Sequence, residues 1–121
     1  MSVVYRGRRL TGMASTVSVI SVNGETLPLR QDLRRLSPVF DWGNNSRGAF
    51  QLAVALLAHC MGERAAVDLW PAFHRRIVAG LPSWADWTLS DQEVRDVVAE
   101  IEAEAITHGK WLEFDEYGRF G

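Results

Sequence analysis

Lysine is almost missing from this chain, which holds Lys110 alone against twelve arginines. That imbalance is the imprint expected of a GC-rich genome and by itself assigns no guanidinium function. Cysteine is equally scarce: Cys60 stands alone, so no internal disulfide can form. Histidine is limited to His59, His74 and His108 with no motif joining them. A metal needs three or four ligands, so His59 and Glu63, although one helical turn apart, make no credible site. Long apolar runs are also lacking, since "FQLAVALLAHCM" reaches only about half of the ~20 residues a spanning helix requires. The N-terminus has neither the charged region nor the continuous apolar core of a secretory signal. A cytoplasmic location, with no membrane partner, is the expectation.

What is present suits one folded domain over residues 1–121. Apolar residues make up 47% of the chain and five residues are tryptophan, enough for a core without disulfide or metal staples. The net charge of −2 conceals an asymmetry. Residues 1–60 carry seven arginines against Glu25, Asp32 and Asp41, whereas residues 61–121 carry twelve acids against six bases. Ten of those acids fall in residues 86–121. Such a dipolar chain can show two different faces to partners, or its halves can neutralise each other.

The pattern along the chain predicts an α+β fold. "VVYRGRRL" and "STVSVISVNGETLPLR" read as extended, with Gly12 and Ser15 at the turn between them. Asn23-Gly24 favours a type I′ hairpin joining strands near 16–22 and 25–30. This gives a small antiparallel sheet in residues 1–30, with Pro28 marking an edge or an end. Three or four helices follow in residues 31–110. "QDLRRL" offers one or two turns before Ser37-Pro38. A central helix spans about Arg47 to Met61, with Asn45 or Ser46 as N-cap and Gly62 beyond its C-terminus. The segment 63–82 is helical in spacing but interrupted by Pro71, which kinks or restarts it. The last helix opens on the capping box Ser90/Glu93 and closes at Gly109, with Val94, Val97, Val98, Ile101 and Ala105 as its apolar stripe. Residues 111–121 form a short strand or a tail.

Few constellations carry chemistry. His59 and Cys60 diverge by ~100° around a helix, and a thiolate late in a helix is disfavoured by the dipole, so a cysteine nucleophile is not expected. The turn "GNNSRG" ahead of the central helix could hold an anion on backbone N–H groups, with Trp42, Ser46, Arg47 and Gln51 as the candidate ligand or turn residues. It matches neither the phosphate-loop nor the dinucleotide pattern, and an ordinary cap and turn explains it as well. The arginines at 6, 8, 9, 30, 34 and 35 could form a basic patch, yet the chain is acidic overall. The largest feature of one sign is acidic. Glu93, Asp96, Glu100 and Glu104 recur at one-turn spacing and Glu113, Asp115 and Glu116 follow in the tail, a row able to imitate nucleic-acid phosphates before a basic groove. The simpler explanation is a solvated helix face. The tryptophans at 70, 84, 87 and 111 are expected mostly in the core, with one left exposed.

The stretch "FDWGNNSRGAFQLAVALL" resembles the signature of an uncharacterised family of short bacterial, phage and mobile-element proteins, a domain of unknown function. In that family an aromatic-x-Trp-Gly segment leads through a Gly-Ser-Gly-Pro-like turn into a Gln-Leu-Ala-rich helix. Phe40, Trp42, Gly43, Gly48, Gln51, Leu52, Ala53, Ala55, Leu56 and Leu57 match, as do Tyr5-Arg6-Gly7, "FHRRIVAGLP" at 73–82 and Trp87-x-Leu89. The chain departs from the pattern at Asn44 and at Ser46-Arg47-Gly48-Ala49. The resemblance implies no activity. It implies a neighbourhood of mobile elements, where small acidic proteins commonly inhibit host defence or regulate transfer.

The expectation is therefore a non-enzymatic protein-binding modulator, of the anti-CRISPR-like or anti-defence kind, whose acidic surface blocks a basic groove of a host protein. No cofactor or metal is expected. Two alternatives stay open: a small ligand-binding protein or enzyme using the 40–51 turn, and a nucleic-acid-binding regulator using the N-terminal arginines.

Overall fold

In the computed structural model, which describes residues 3–8, 16–20 and 24–107, the chain is α+β: a three-stranded antiparallel sheet lies against three helices. Strand β1 (Val4–Arg8) alternates as its sequence does, with Tyr5 and Gly7 inward and Arg6 and Arg8 outward. It is the central strand. On one side β2 (Thr16–Ile20) pairs with it in the register Tyr5↔Val19, and on the other β3 (Trp87–Ser90) pairs in the register Tyr5↔Leu89 and Gly7↔Trp87.

The third strand is thus 87–90 rather than 25–30. Residues 25–30 hold only an isolated bridge at Thr26. Leu27 is buried in the core, the carbonyl of Leu29 accepts a hydrogen bond from a side chain, and Arg30 takes φ +58°, so this segment cannot lie flat in a ladder. Gly24 has the positive φ of +59° that suits its place in the predicted turn, while Asn23 lies outside the described residues. "QDLRRL" closes a single turn, in which Leu33 and Arg34 donate to the carbonyl of Arg30. The predicted turn at Gly12 and Ser15, the helix stop at Gly109 and the strand or tail at 111–121 also lie outside the described residues.

The central helix α1 (Arg47–Cys60) has buried residues round its whole circumference from Gly48 to Ala58, apart from Phe50. Ser46 is its N-cap, its hydroxyl accepting from the Ala49 N–H at 3.2 Å. At the other end Gly62, at φ +108°, donates to the carbonyls of Leu57 and Ala58. Helix α2 (Glu63–Arg76) continues through Pro71, neither ending nor restarting there. Its buried face of Ala66, Leu69, Phe73 and His74 holds the helix on both sides of the proline. A short 3-10 turn (Val78–Gly80) and the loop 81–86 lead back to β3 and then to α3 (Asp91–Thr107). The stripe of α3 packs inward as its spacing predicts: Val94, Val98 and Ile101 are buried, and Val97 and Ala105 partly so. One core cluster joins β1, β3, the three helices and the 3-10 turn, and no described helix is long and apolar enough to cross a membrane.

Candidate functional site

The turn ahead of α1 is closed by its own side chains. Asp41 accepts from the Trp42 N–H at 2.8 Å through Oδ1, and from Asn44 Nδ2 at 3.1 Å and the Ser46 hydroxyl at 3.4 Å through Oδ2. A carboxylate therefore already sits at the positive end of the α1 dipole, where an anion from solution would have to go. Arg47 turns away and donates to the Leu36 carbonyl at 2.7 Å. Trp42 is fully buried; its indole N–H reaches the carbonyls of Pro82 at 3.0 Å and Ala85 at 3.3 Å, so it pins the 81–86 loop. Gly43 donates to the Val78 carbonyl at 2.9 Å, and a Cβ there would lie 2.6 Å from Leu81 O.

Gln51 is fully buried as well, and its amide makes three of its four possible hydrogen bonds. Oε1 accepts from the N–H groups of Leu36 at 2.8 Å and Ser37 at 3.0 Å, and Nε2 donates to the Leu29 carbonyl at 2.7 Å. A polar group placed this deep requires such partners, and here it serves the irregular segment 29–37, whose backbone has no ladder to join. Trp42 and Gln51 are thus out of reach of a ligand in solvent, and Ser46 is committed to capping. Of the predicted turn set only Arg47 is exposed.

The acidic row on α3 is outward along its described length: Glu93, Asp96, Glu100 and Glu104 are all exposed. Each also has a local partner. Glu93 closes the predicted capping box, accepting from the Ser90 N–H at 2.8 Å while Ser90 Oγ accepts from the Glu93 N–H at 3.1 Å. Asp96 accepts from Gln92 at 2.9 Å. Glu100 and Glu104 both pair with Arg76 of α2, at 3.1 Å for Glu100. The hydrogen bond to Glu104, then the pull of both carboxylates, raise the Arg76 pKa. Glu102 is exposed with no such partner among the described residues. Glu113, Asp115 and Glu116 lie outside the described residues.

The N-terminal arginines do not act as one set. Arg6 and Arg8 share the outer face of β1, while Arg30 bridges Asp32 at 2.9 Å and Glu63, and the Arg30 hydrogen bond lowers the Asp32 pKa. Arg34 and Arg35 are exposed on the 31–36 turn, and Arg9 lies outside the described residues. At the far end of α1 the Tyr5 hydroxyl is 2.9 Å from His59 Nδ1, and the Cys60 thiol donates to the Asp91 carbonyl at 3.6 Å. Burial is the main force raising the pKa of both the Tyr5 phenol and the Cys60 thiol, the reverse of what an activated nucleophile needs. No three His, Cys, Asp or Glu side chains among the described residues converge as metal ligands.

Two surface features escaped the sequence. Trp84 is 82% exposed; composition said that one tryptophan should be outside but not which. A cleft of about 320 Å³ opens between α1 and α2, walled by Phe50, Trp70, Pro71 and His74. Its walls come from two helices, brought together by the packing of Phe50 on Trp70, with ring centroids 5.4 Å apart, and on His74, at 4.7 Å.

The residues that carry the sequence resemblance are thus mostly those that build the fold, and the family follows from a direct comparison. The chain belongs to the family described as "Family of unknown function (DUF6166)", whose model matches residues 5–100. Compared with the curated proteins and with the solved structures, it shows no significant match.

Proposed function

We propose that this chain is a non-enzymatic protein-binding modulator, carried by a phage or mobile element and acting in the cytoplasm as an anti-defence inhibitor of the anti-CRISPR kind. The observation that carries the reading is the outer face of α3. Asp96, Glu100 and Glu104 stand one turn apart on a rigid helix, about 6 Å between successive carboxylates along the axis, with Glu93 and Glu102 beside them. A basic groove that binds a nucleic-acid backbone presents arginines and lysines to such a row. Arg76 holds two of the carboxylates in place in the free protein, and an exposed pair of this kind exchanges readily for a partner's cation because it contributes little to stability. The closed 43–48 turn and the raised pKa of the Cys60 thiol favour this surface reading over a site at either place.

The test is competition. The chain, immobilised and exposed to extract of its native host, should retain a protein that binds duplex DNA or RNA and that releases the nucleic acid when the chain is added at equal concentration. A variant with Asp96→Lys, Glu100→Lys and Glu102→Lys should neither retain that protein nor displace its nucleic acid. Glu93 is left intact so that the cap of α3 survives. Unchanged displacement by the triple variant, with its circular dichroism intact, would falsify the assignment of this face.

A further inference from the structure

We propose that the cleft between α1 and α2 is a binding site for a small planar aromatic anion, a site separate from the α3 surface. Its walls are aromatic. Phe50 and Trp70 are only partly buried, so each leaves ring surface on the cleft, and His74 stands edge-on to Phe50 at a centroid distance of 4.7 Å. His74 is itself buried, and its Nε2–H donates to the Asn44 carbonyl at 2.8 Å. That bond fixes the turn so that the adjacent Asn45, exposed and with no hydrogen bond to another described residue, lies at the rim.

The charge at the mouth is positive. Arg75 lines the cleft four residues after Pro71, hence on the same face of α2, and among the described residues it has no hydrogen-bond or ion-pair partner. No carboxylate lines this cleft. The neighbouring cleft, between α2 and α3, shows the contrast: it has a similar volume of about 340 Å³, but Glu104 stands on its wall beside Arg75 and Arg76. Arg76 is neutralised there by Glu100 and Glu104, whereas Arg75, which lines both clefts, is in no ion pair among the described residues.

A ring stacked against Trp70 and Phe50, with a carboxylate or phosphate on Arg75 and an acceptor on the Asn45 amide, uses every group the cleft offers. The volume stands at the low end for small-molecule sites and suits one or two fused rings with a short anionic substituent.

Indole-3-acetate, tryptamine and acetate separate the parts of this proposal, being ring with anion, ring with cation, and anion without ring. Titrated into the ¹⁵N-labelled protein, indole-3-acetate should bind with Kd of about 1 mM or tighter, shifting the Trp70 indole and Asn45 signals. Tryptamine and acetate should leave those signals in place. Arg75→Gln, an exposed substitution that leaves the core untouched, should weaken indole-3-acetate about tenfold, the loss of one charge-assisted contact. The proposal is overturned if tryptamine binds as well as indole-3-acetate, if Arg75→Gln changes nothing, or if the shifts fall at Trp84 instead.

Discussion

Gln51 is the residue on which the signature turns, because a single side chain takes the place of a missing strand partner for three backbone groups. Gln51→Leu keeps the volume and removes all three bonds, leaving the buried N–H groups of Leu36 and Ser37 and the carbonyl of Leu29 short of partners. At roughly 1–3 kcal/mol for each buried group left unsatisfied, partly relieved by water, the expected loss is about 3 kcal/mol in urea unfolding. A loss below about 1 kcal/mol would mean that residues 29–37 hold their course without it. Gly7 has an equally specific reason to be there: a Cβ would lie 2.2 Å from Trp87 Nε1, so the strand and the indole can meet only over a glycine. At the other end of α1, Tyr5 and Cys60 both hold their protons more tightly in the fold than their ordinary values of 10.0 and 9.0 would have it, mainly through burial. A folded-state pKa raised in this way gives stability that is complete below the unfolded-state value and is lost as pH rises above it. Stability should therefore fall as pH climbs from about 9 towards 11, and the fall should be shallower in Tyr5→Phe. Equal slopes in the two proteins, followed by urea midpoints across that range, would remove Tyr5 from the account.

Among the elements, those with strong local signals were legible and those set by distant partners were not. The capping box at Ser90/Glu93 and the Val94, Val98, Ile101 stripe fixed α3 from sequence alone, since both depend on neighbours within one turn or two. The end of α1 at Gly62 was readable for the same reason. The third strand was misplaced because "ETLPLR" and "WTLS" alternate equally well, and what decides between them is Gln51 binding Leu29 and Trp87 lying on Gly7. Neither contact has a local signature. The candidate site fared likewise: the acidic row was visible as spacing, but its engagement with Arg76 and the aromatic cleft depend on how α2 packs. Pro71 shows tertiary packing overriding propensity most directly, for α2 continues through it without the N–H that would reach the Val67 carbonyl. Pro71→Ala should restore that bond and raise the stability by about 1–3 kcal/mol, up to the usual cost of an interior proline. A differential scanning calorimetry trace with Tm unchanged or lowered would show instead that the proline fits its place without strain.

Over the whole molecule the charges and the apolar surface have been sorted to different places. Acids line the outside of α3, Arg6 and Arg8 lie on the open face of the sheet, and among the described residues the one large aromatic left in solvent is Trp84. That indole is not on a loose loop. The Ala85 N–H bonds the Pro82 carbonyl at 3.4 Å to close a turn, and the buried indole of Trp42 holds both carbonyls of that turn from beneath. A fixed and exposed tryptophan binds at lower entropic cost than one on a flexible segment, and tryptophan is enriched among the residues that dominate interfaces. If the chain works by contacting a protein, Trp84 is the natural apolar anchor to accompany the carboxylates. Trp84→Ser should then shift the urea midpoint by no more than about 0.5 kcal/mol, because the side chain packs on little. The same change should weaken the complex with the retained host protein by more than about tenfold, the loss expected of an anchor worth roughly 2 kcal/mol. High salt should weaken the carboxylate contacts and leave the indole contribution in place, so the ratio of wild-type to Trp84→Ser affinity should hold from low to high ionic strength. A variant that lost stability but bound the partner as before would place Trp84 in the fold and leave recognition to charge alone.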